Sequence, residues 1–414
     1  MGMMVTWLGV SDFMKRFVKR HAQDVRKARV TMRFPGKSAV IVAAIVCTYL
    51  VVPASGAGDG QAGGRGTAYS FIYVGDLHFD KRSHHDFEWV KANKPADVNQ
   101  IEGYMRFTEE HAPGLLKRIQ TSIVAGDGRI QMILQGGDLT EGLCGSRELQ
   151  EIQFKDVRRF VRDHIPQTPF IFTKGNHDIT GPGAKEAFDA VMLPWLSQEC
   201  GKQIDSASFY FMKGPDLFVF FDAYQNNDLV WLEEVLSRNR HRYAFMVMHP
   251  PAVPYTARST WHLFWREKEQ DRRERFLNTL GANEIILLTA HLHKYGVVTR
   301  RTPRGAFIQF SLNSVIDSPD RSVRDHLEGV ENYGGSLVDL EPEFQPDTSA
   351  ERRTLLEREK PHIANFEYAD FPGYAVIHVS DTHVSAEIHV GDSDKVWKSV
   401  SLDPRGGSSP ASDN

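Results

Sequence analysis

Phe71-Ile72-Tyr73-Val74-Gly75-Asp76-Leu77-His78 is an apolar run that ends in a carboxylate and an imidazole, and the chain repeats this kind of pattern. Met132-Ile133-Leu134 runs into Gly136-Gly137-Asp138, and Phe170-Ile171-Phe172 leads to Gly175-Asn176-His177-Asp178. Phe245-Met246-Val247-Met248 meets His249-Pro250-Pro251, and Ile285-Ile286-Leu287-Leu288 is followed by His291-Leu292-His293. Short continuous apolar runs bounded by Gly or Pro predict strands buried on both faces. In open α/β sheets ligands gather beyond the carboxyl ends of such strands, so the five polar tips are expected to meet in one place.

Asp76 and His78 are two apart, a spacing that lets a strand end turn both toward one ion. Asp76, His78, Asp138, Asn176, His249, His291 and His293 make seven candidate ligands. Carboxylate, carboxamide and imidazole together suit Zn, Fe, Mn or Co, and fit neither an all-oxygen calcium site nor a thiolate zinc site. Seven side chains are too many for one tetrahedral ion and match two ions sharing a bridging carboxylate, an arrangement built for displacement at phosphorus.

The 414 residues are 41% hydrophobic and 25% charged, a globular composition that allows a substantial core. The net charge of -4 hides an asymmetry: residues 1–38 carry nine Lys or Arg against two Asp, which leaves the rest strongly acidic. No long Lys/Arg run follows residue 60, which argues against a nucleic-acid surface. Ala39 to Val52 is apolar, follows Arg33 and Lys37, and precedes Ala54-Ser55-Gly56-Ala57. Basic flank, apolar core and small residues describe an export signal over 1–57, with cleavage after Ala57. Met32 to Lys37 would by itself make a conventional basic flank, so Met32 is a candidate start. The alternative is an uncleaved anchor, for which the apolar core is short against the roughly 20 residues of a membrane span. In both readings the rest of the chain is exported, as a periplasmic, secreted or outward-facing anchored protein, and membrane contact is expected only through this segment if it is not cleaved.

Cys47 falls inside the signal, which leaves Cys144 and Cys200 as either a disulfide or two separate thiols. Residues 58–67 are a Gly-rich linker and 68–392 one domain, with no reason to divide it. Helices are predicted from Ser146 to Asp163, with Leu149, Ile152, Val157, Phe160 and Val161 on one face, and after Asp228 through Leu229, Leu232, Val235 and Leu236. The β-rich segments after His293, at 296–301, 306–312, 374–380 and 383–390, suggest a second sheet. Residues 340–366 read as a charged surface insertion with one helix at 349–360, and 393–414, above all from Asp403, as a disordered tail.

In the order Asp-X-His, Gly-Asp, Gly-Asn-His-Asp, His and His-X-His, the chain resembles calcineurin-like metallophosphoesterases over roughly residues 70–295. The resemblance implies an α/β fold, a sandwich of two mixed β-sheets flanked by helices in a single catalytic domain. It implies two divalent transition-metal ions, Mn, Fe or Zn: Asp76, His78 and His293 for the first, Asn176, His249 and His291 for the second, and Asp138 between them. A hydroxide bridging the ions would attack a phosphomonoester or phosphodiester while the ions stabilise the developing charge. His177 would contact phosphate and help protonate the leaving oxygen. Glu141, where phosphoprotein phosphatases have a carboxylate that orients this histidine, and Asp178 beside it complete the implied catalytic set.

Two positions depart from the family pattern. Ala290 replaces the usual Gly before His-X-His, and Glu141 stands where purple acid phosphatases have tyrosine, so a tyrosinate-bound ferric ion is not supported. His84-His85-Asp86, Arg82, His262, Asn313, Trp261 and Trp265 are weaker candidates for substrate contacts, set against surface or core roles. Competing functions are a cyclic-nucleotide phosphodiesterase or nuclease, and an inactive binding scaffold, which usually lacks ligands that are all present here.

Overall fold

Each of the five apolar runs forms a strand. The computed structural model describes residues 68–404 apart from Asn226 and Pro319; the predicted signal, the linker, Cys47 and residues 405–414 lie outside the described residues. β1 (Tyr69–Val74), β2 (Ile130–Gln135) and β3 (Phe170–Phe172) pair in parallel. β4 (Phe209–Lys213) and β5 (Asp216–Phe220) form a hairpin whose second strand runs parallel to β6 (Ala244–Val247), which is parallel in turn to β7 (Ile286–Thr289). Every residue of β1, β3, β5, β6 and β7 is buried, as the unbroken apolar runs require.

The segments after His293 do not form a sheet of their own; they complete both existing sheets. β8 (Tyr295–Thr302), β9 (Gly305–Ser311), β10 (Arg324–Glu328) and β11 (Ile363–Asp370) extend the second sheet in the order β10-β11-β8-β9-β7-β6-β5-β4. β12 (Gly373–Val379), β13 (Val384–Val390) and β14 (Val396–Ser401) join β1 in the order β14-β13-β12-β1-β2-β3. The domain is therefore a sandwich of two mixed sheets with flanking helices.

Phe71 of β1 marks where the sheets meet: its ring stands edge-on to Phe218 at 5.6 Å and to Phe245 at 5.3 Å. Burial of one such ring is worth about 1.5 to 3 kcal/mol. Leu116, Ile119, Phe154 and Val157 bring the helices Ala112–Ala125 and Arg147–His164 into the same core. Leu232, Phe276 and Leu356 bring three more helices, Leu229–Arg238, Gln270–Ala282 and Ser349–Glu359, into a second core.

Two segments and one helix face differ from the sequence reading. The predicted tail 393–414 contains β14, which pairs antiparallel with β13 as an edge strand of its sheet. The stretch 340–366 is only partly superficial: Arg352 and Leu356 are fully buried, Arg352 donates to the carbonyl of Ala257 at 2.6 Å, and the segment runs on into β11. In the helix Arg147–His164, Ile152 is exposed whereas Gln150 and Gln153 are buried, since that helix faces a polar loop as well as the core. Ser146 and Asp228 cap their helices as their residue types predict. Cys144 and Cys200 are separate thiols.

Candidate metal centre

The loops beyond β1, β2, β3, β6 and β7 carry the seven candidate ligands. Their approach leaves no room for extra atoms. A Cβ on Gly175 would lie 2.1 Å from both the backbone nitrogen and Oδ1 of Asp138, and one on Gly137 would lie 2.6 Å from Nδ1 of His249. His78, Asp138, His291 and His293 hold left-handed backbone with φ of 45°, 50°, 73° and 54°. Non-glycine residues in that region cost about 1 to 3 kcal/mol each and cluster at functional sites.

Two groups of three form, Asp76 with His78 and His293, and Asp138 with His249 and His291; within each the ligand atoms lie within 4.8 Å of one another. Asp138 Oδ2 faces both groups, 2.9 Å from His249 Nε2 and 3.8 Å from His78 Nε2. Asn176 lines the same cavity, and its Oδ1 accepts from the Tyr224 hydroxyl at 3.3 Å.

The hydrogen bonds on the outer ring nitrogens decide what the inner ones can do. His249 Nδ1 donates to the Gly136 carbonyl at 2.8 Å, and His78 Nδ1 donates to Glu141 Oε2 at 2.7 Å. His249 Nε2 then meets Asp138 Oδ2 at 2.9 Å and also His291 Nδ1 at 3.1 Å, while His78 Nε2 meets His293 Nε2 at 3.1 Å. A proton on His249 Nε2 can serve one of its two partners, whereas a cation serves both, and outer-nitrogen bonds of this kind commonly orient metal-binding histidines. The donor set fits divalent transition metals.

His177 stands beside these groups and lines the cavity. Its backbone N–H donates to Asp138 Oδ1 at 2.7 Å, and its Nδ1 donates to the Glu141 carbonyl at 2.9 Å with Glu141 Oε2 at 3.2 Å. Burial alone would lower its pKa, but the carboxylates of Glu141 and Asp138 outweigh burial and hold it well above the ordinary imidazole value. Glu141 is shared: burial pushes its carboxyl up, yet His177 and His78 pull it down to about 2. Its shorter contact is to His78, a role that sequence reasoning, which paired it with His177, did not include.

Asp178 does not face the cavity. Fully buried, it accepts from the Gly175 N–H at 2.9 Å and from the Thr140 N–H at 3.0 Å, so it ties the loop carrying Asn176 to the loop carrying Asp138. His84 and His85 are neither superficial nor over the centre; both are buried around Asp80. Asp86 caps the helix Phe87–Asn93, and Arg82 is exposed against Phe87. Asn313 bridges to Asp76 in backbone pairing.

A cavity of about 830 Å³ opens over the centre, with Trp261, His262 and Trp265 in its wall. Trp261 reaches His291, ring centroids 5.3 Å apart, from a short 3-10 turn and not from the helix face that the four-residue spacing suggested. Sequence reasoning passed over Gln100 and Tyr104 of the helix Val98–Glu110, and Arg258. Tyr104 stacks on His78 at 4.1 Å with rings 4° from parallel, and Gln100 Nε2 donates to Glu141 Oε1 at 2.9 Å. Neither residue stands after an apolar run, so nothing local marked it.

A family model described as calcineurin-like phosphoesterase matches residues 69–295, which is more than half of the chain. The chain belongs to that family. The match spans all five strand tips and ends at the start of β8, just after His293. No curated protein matches the sequence. Solved structures that resemble it include PhoD, 12% identical, covering 82% of this chain and 70% of that one with a TM-score of 0.47. Another is a dimetal phosphatase from Danio rerio, 11% identical, covering 81% and 98% with a TM-score of 0.46. A third is GAP50, the anchor in the inner membrane complex of Plasmodium, 10% identical, covering 81% and 89% with a TM-score of 0.45. Among the described residues no helix is long and apolar enough to cross a membrane.

Proposed function

We propose that this member of the calcineurin-like phosphoesterase family hydrolyses phosphoesters with two divalent transition-metal ions. The observation that carries the reading is the inward convergence of ring nitrogens on Asp138, with His249 Nε2 at 2.9 Å and His78 Nε2 at 3.8 Å, while their outer nitrogens are already committed. Asp76, His78 and His293 would hold one ion, Asn176, His249 and His291 the other, and Asp138 both. When bound, the ions supply Lewis acidity toward phosphoryl oxygens and toward water.

The remaining work falls to the chain's own side chains. His177, its Nδ1 held by Glu141, has Nε2 left to give a proton to the departing oxygen. Glu141 keeps His177 charged and fixes the ring of His78 through one carboxylate oxygen, and Gln100 holds the other oxygen. Asp178 fixes the two loops that set the distance between His177 and Asp138. The basic then apolar segment before residue 58 supports export.

Metal analysis of the purified full chain, with assays on 4-nitrophenyl phosphate and bis(4-nitrophenyl) phosphate under added Mn or Zn, tests the reading. Two ions per chain and hydrolysis are expected. Less than one ion with no hydrolysis of either ester would favour a binding scaffold.

A further inference from the structure

The cavity over the metal centre is not alone. A second one, about 530 Å³, also borders His293 and shares Gln100, Tyr104, Arg258 and His293 with the first. The two walls differ in chemistry. The first carries Tyr224, Phe264, Trp261 and Trp265, and the two tryptophans are only half-buried, with ring surface left to cover. The second has Arg106, Lys294 and Arg324 of its own, beside the shared Arg258 and against the carboxylates of Asp317 and Asp370, whereas the first adds only Arg266 to Arg258. Lys294 and Arg324 both reach Asp370, at 3.0 and 3.2 Å, and Arg258 is braced by Glu341 at 3.0 Å. These pairs stiffen the basic wall.

A phosphomonoester has one organic substituent and needs one of these spaces. A phosphodiester has two, and a phosphorus near His293 would place one in each. We propose that the substrate is a phosphodiester lying across His293, its ring-bearing alcohol in the aromatic cavity and its second, polar substituent in the basic one. This rests on the phosphoesterase reading given above. His177 lines only the first cavity, so it assigns the leaving group: the P–O bond to the ring-bearing alcohol breaks. Water adds to phosphorus, the departing oxygen takes the His177 proton, and the attacking water restores that proton. The products are the free alcohol and a phosphomonoester that keeps the second substituent.

Gly103 offers a clean way to close the second cavity. It lines that cavity from the helix Val98–Glu110, and an added Cβ would meet only Phe107 ring carbons at 3.7 Å, an ordinary contact. The backbone there accepts a Cβ, so Gly103→Leu adds bulk to that wall, and Asn99→Trp, at an exposed position of the same wall, adds it by another route. The measurement is the ratio of kcat/KM for bis(4-nitrophenyl) phosphate to that for 4-nitrophenyl phosphate, on the metal-loaded full chain. The wild type is expected to favour the diester by at least about tenfold, and each blocked variant to lose about tenfold or more of that ratio. A wild type that favours the monoester, or a ratio that neither variant moves, overturns the proposal. Failure of the metal-loaded wild type to cleave either ester overturns the phosphoesterase reading itself, and the two failures are thereby distinct.

Discussion

Two buried clusters of aspartate and histidine stand next to each other in sequence, Asp76 with His78 and, just beyond, Asp80 with His84 and His85, and only the first has the character of a metal site. Asp80 is closed on itself: it accepts from the Lys81 N–H at 2.9 Å, from Gln153 Nε2 at 2.8 Å and from His85 Nε2 at 2.7 Å. The other nitrogen of His85 donates to the Leu143 carbonyl at 3.2 Å. Burial opposes charge on His85, but Asp80 outweighs it and raises the pKa. Each acceptor there has a donor. Around Asp138, by contrast, ring nitrogens face one another at 3.1 Å in two places, on left-handed backbone, under an open cavity. Residue type does not separate the two clusters. The balance of donors and acceptors does.

Asp138→Ala tests that difference most severely, since it removes the oxygen that both groups of histidines face. Bound metal should fall from about two ions to fewer than one per folded chain, and turnover should fall by more than the roughly 10⁴-fold upper range of a lost general acid. Retention of both ions, measured by elemental analysis, would show the cluster to be as self-sufficient as that of Asp80. His177→Asn is next. It should leave metal content intact and lower turnover by about 10²- to 10⁴-fold; full activity in that variant would remove His177 from the mechanism.

The sequence made one cluster legible and the other not, for a physical reason. The ligands of the first follow strands that are buried on both faces, and such strands announce themselves as unbroken apolar runs. His84 and His85 follow no such run, and Gln153, which satisfies Asp80, lies 73 positions away on a helix. Tyr104 and Arg258 escaped notice in the same way, because their importance lies in what they touch. The hairpin β4-β5, the strand β11 and the edge strand β14 were also hidden. Charged residues such as Glu367 in β11 and Lys398 in β14, which pair at 2.9 Å between the two sheets, make the local pattern look like loop.

His85→Ala approaches the comparison from the closed side. It strips Asp80 of one of its three close donors, and breaking a buried charged pair commonly costs about 3 to 5 kcal/mol. Thermal or denaturant unfolding should show that loss, while metal per folded chain stays at the wild-type level. If metal is lost in proportion to stability, the two clusters are one unit and the distinction drawn between them fails.

A third buried ionic group sharpens the contrast at lower cost. Glu359 sits between Arg273, at 3.0 Å, and Arg300, joining the helices Ser349–Glu359 and Gln270–Ala282 to β8. Burial raises its pKa, but the two guanidiniums overcome burial and lower it from 4.5 to about 2. Because the folded pKa is the depressed one, the contribution to stability is complete above about pH 4.5 and disappears as pH falls toward 2. The shift is of the order of 3 kcal/mol at most. Glu359→Gln should flatten the stability profile in that window and leave it unchanged in shape near neutral pH. The same flattening is expected with and without a chelator, since this group is satisfied by protein alone. A chelator that abolishes the difference between Glu359→Gln and wild type would tie the triad to the metal centre and remove the idea that closed and open clusters act separately.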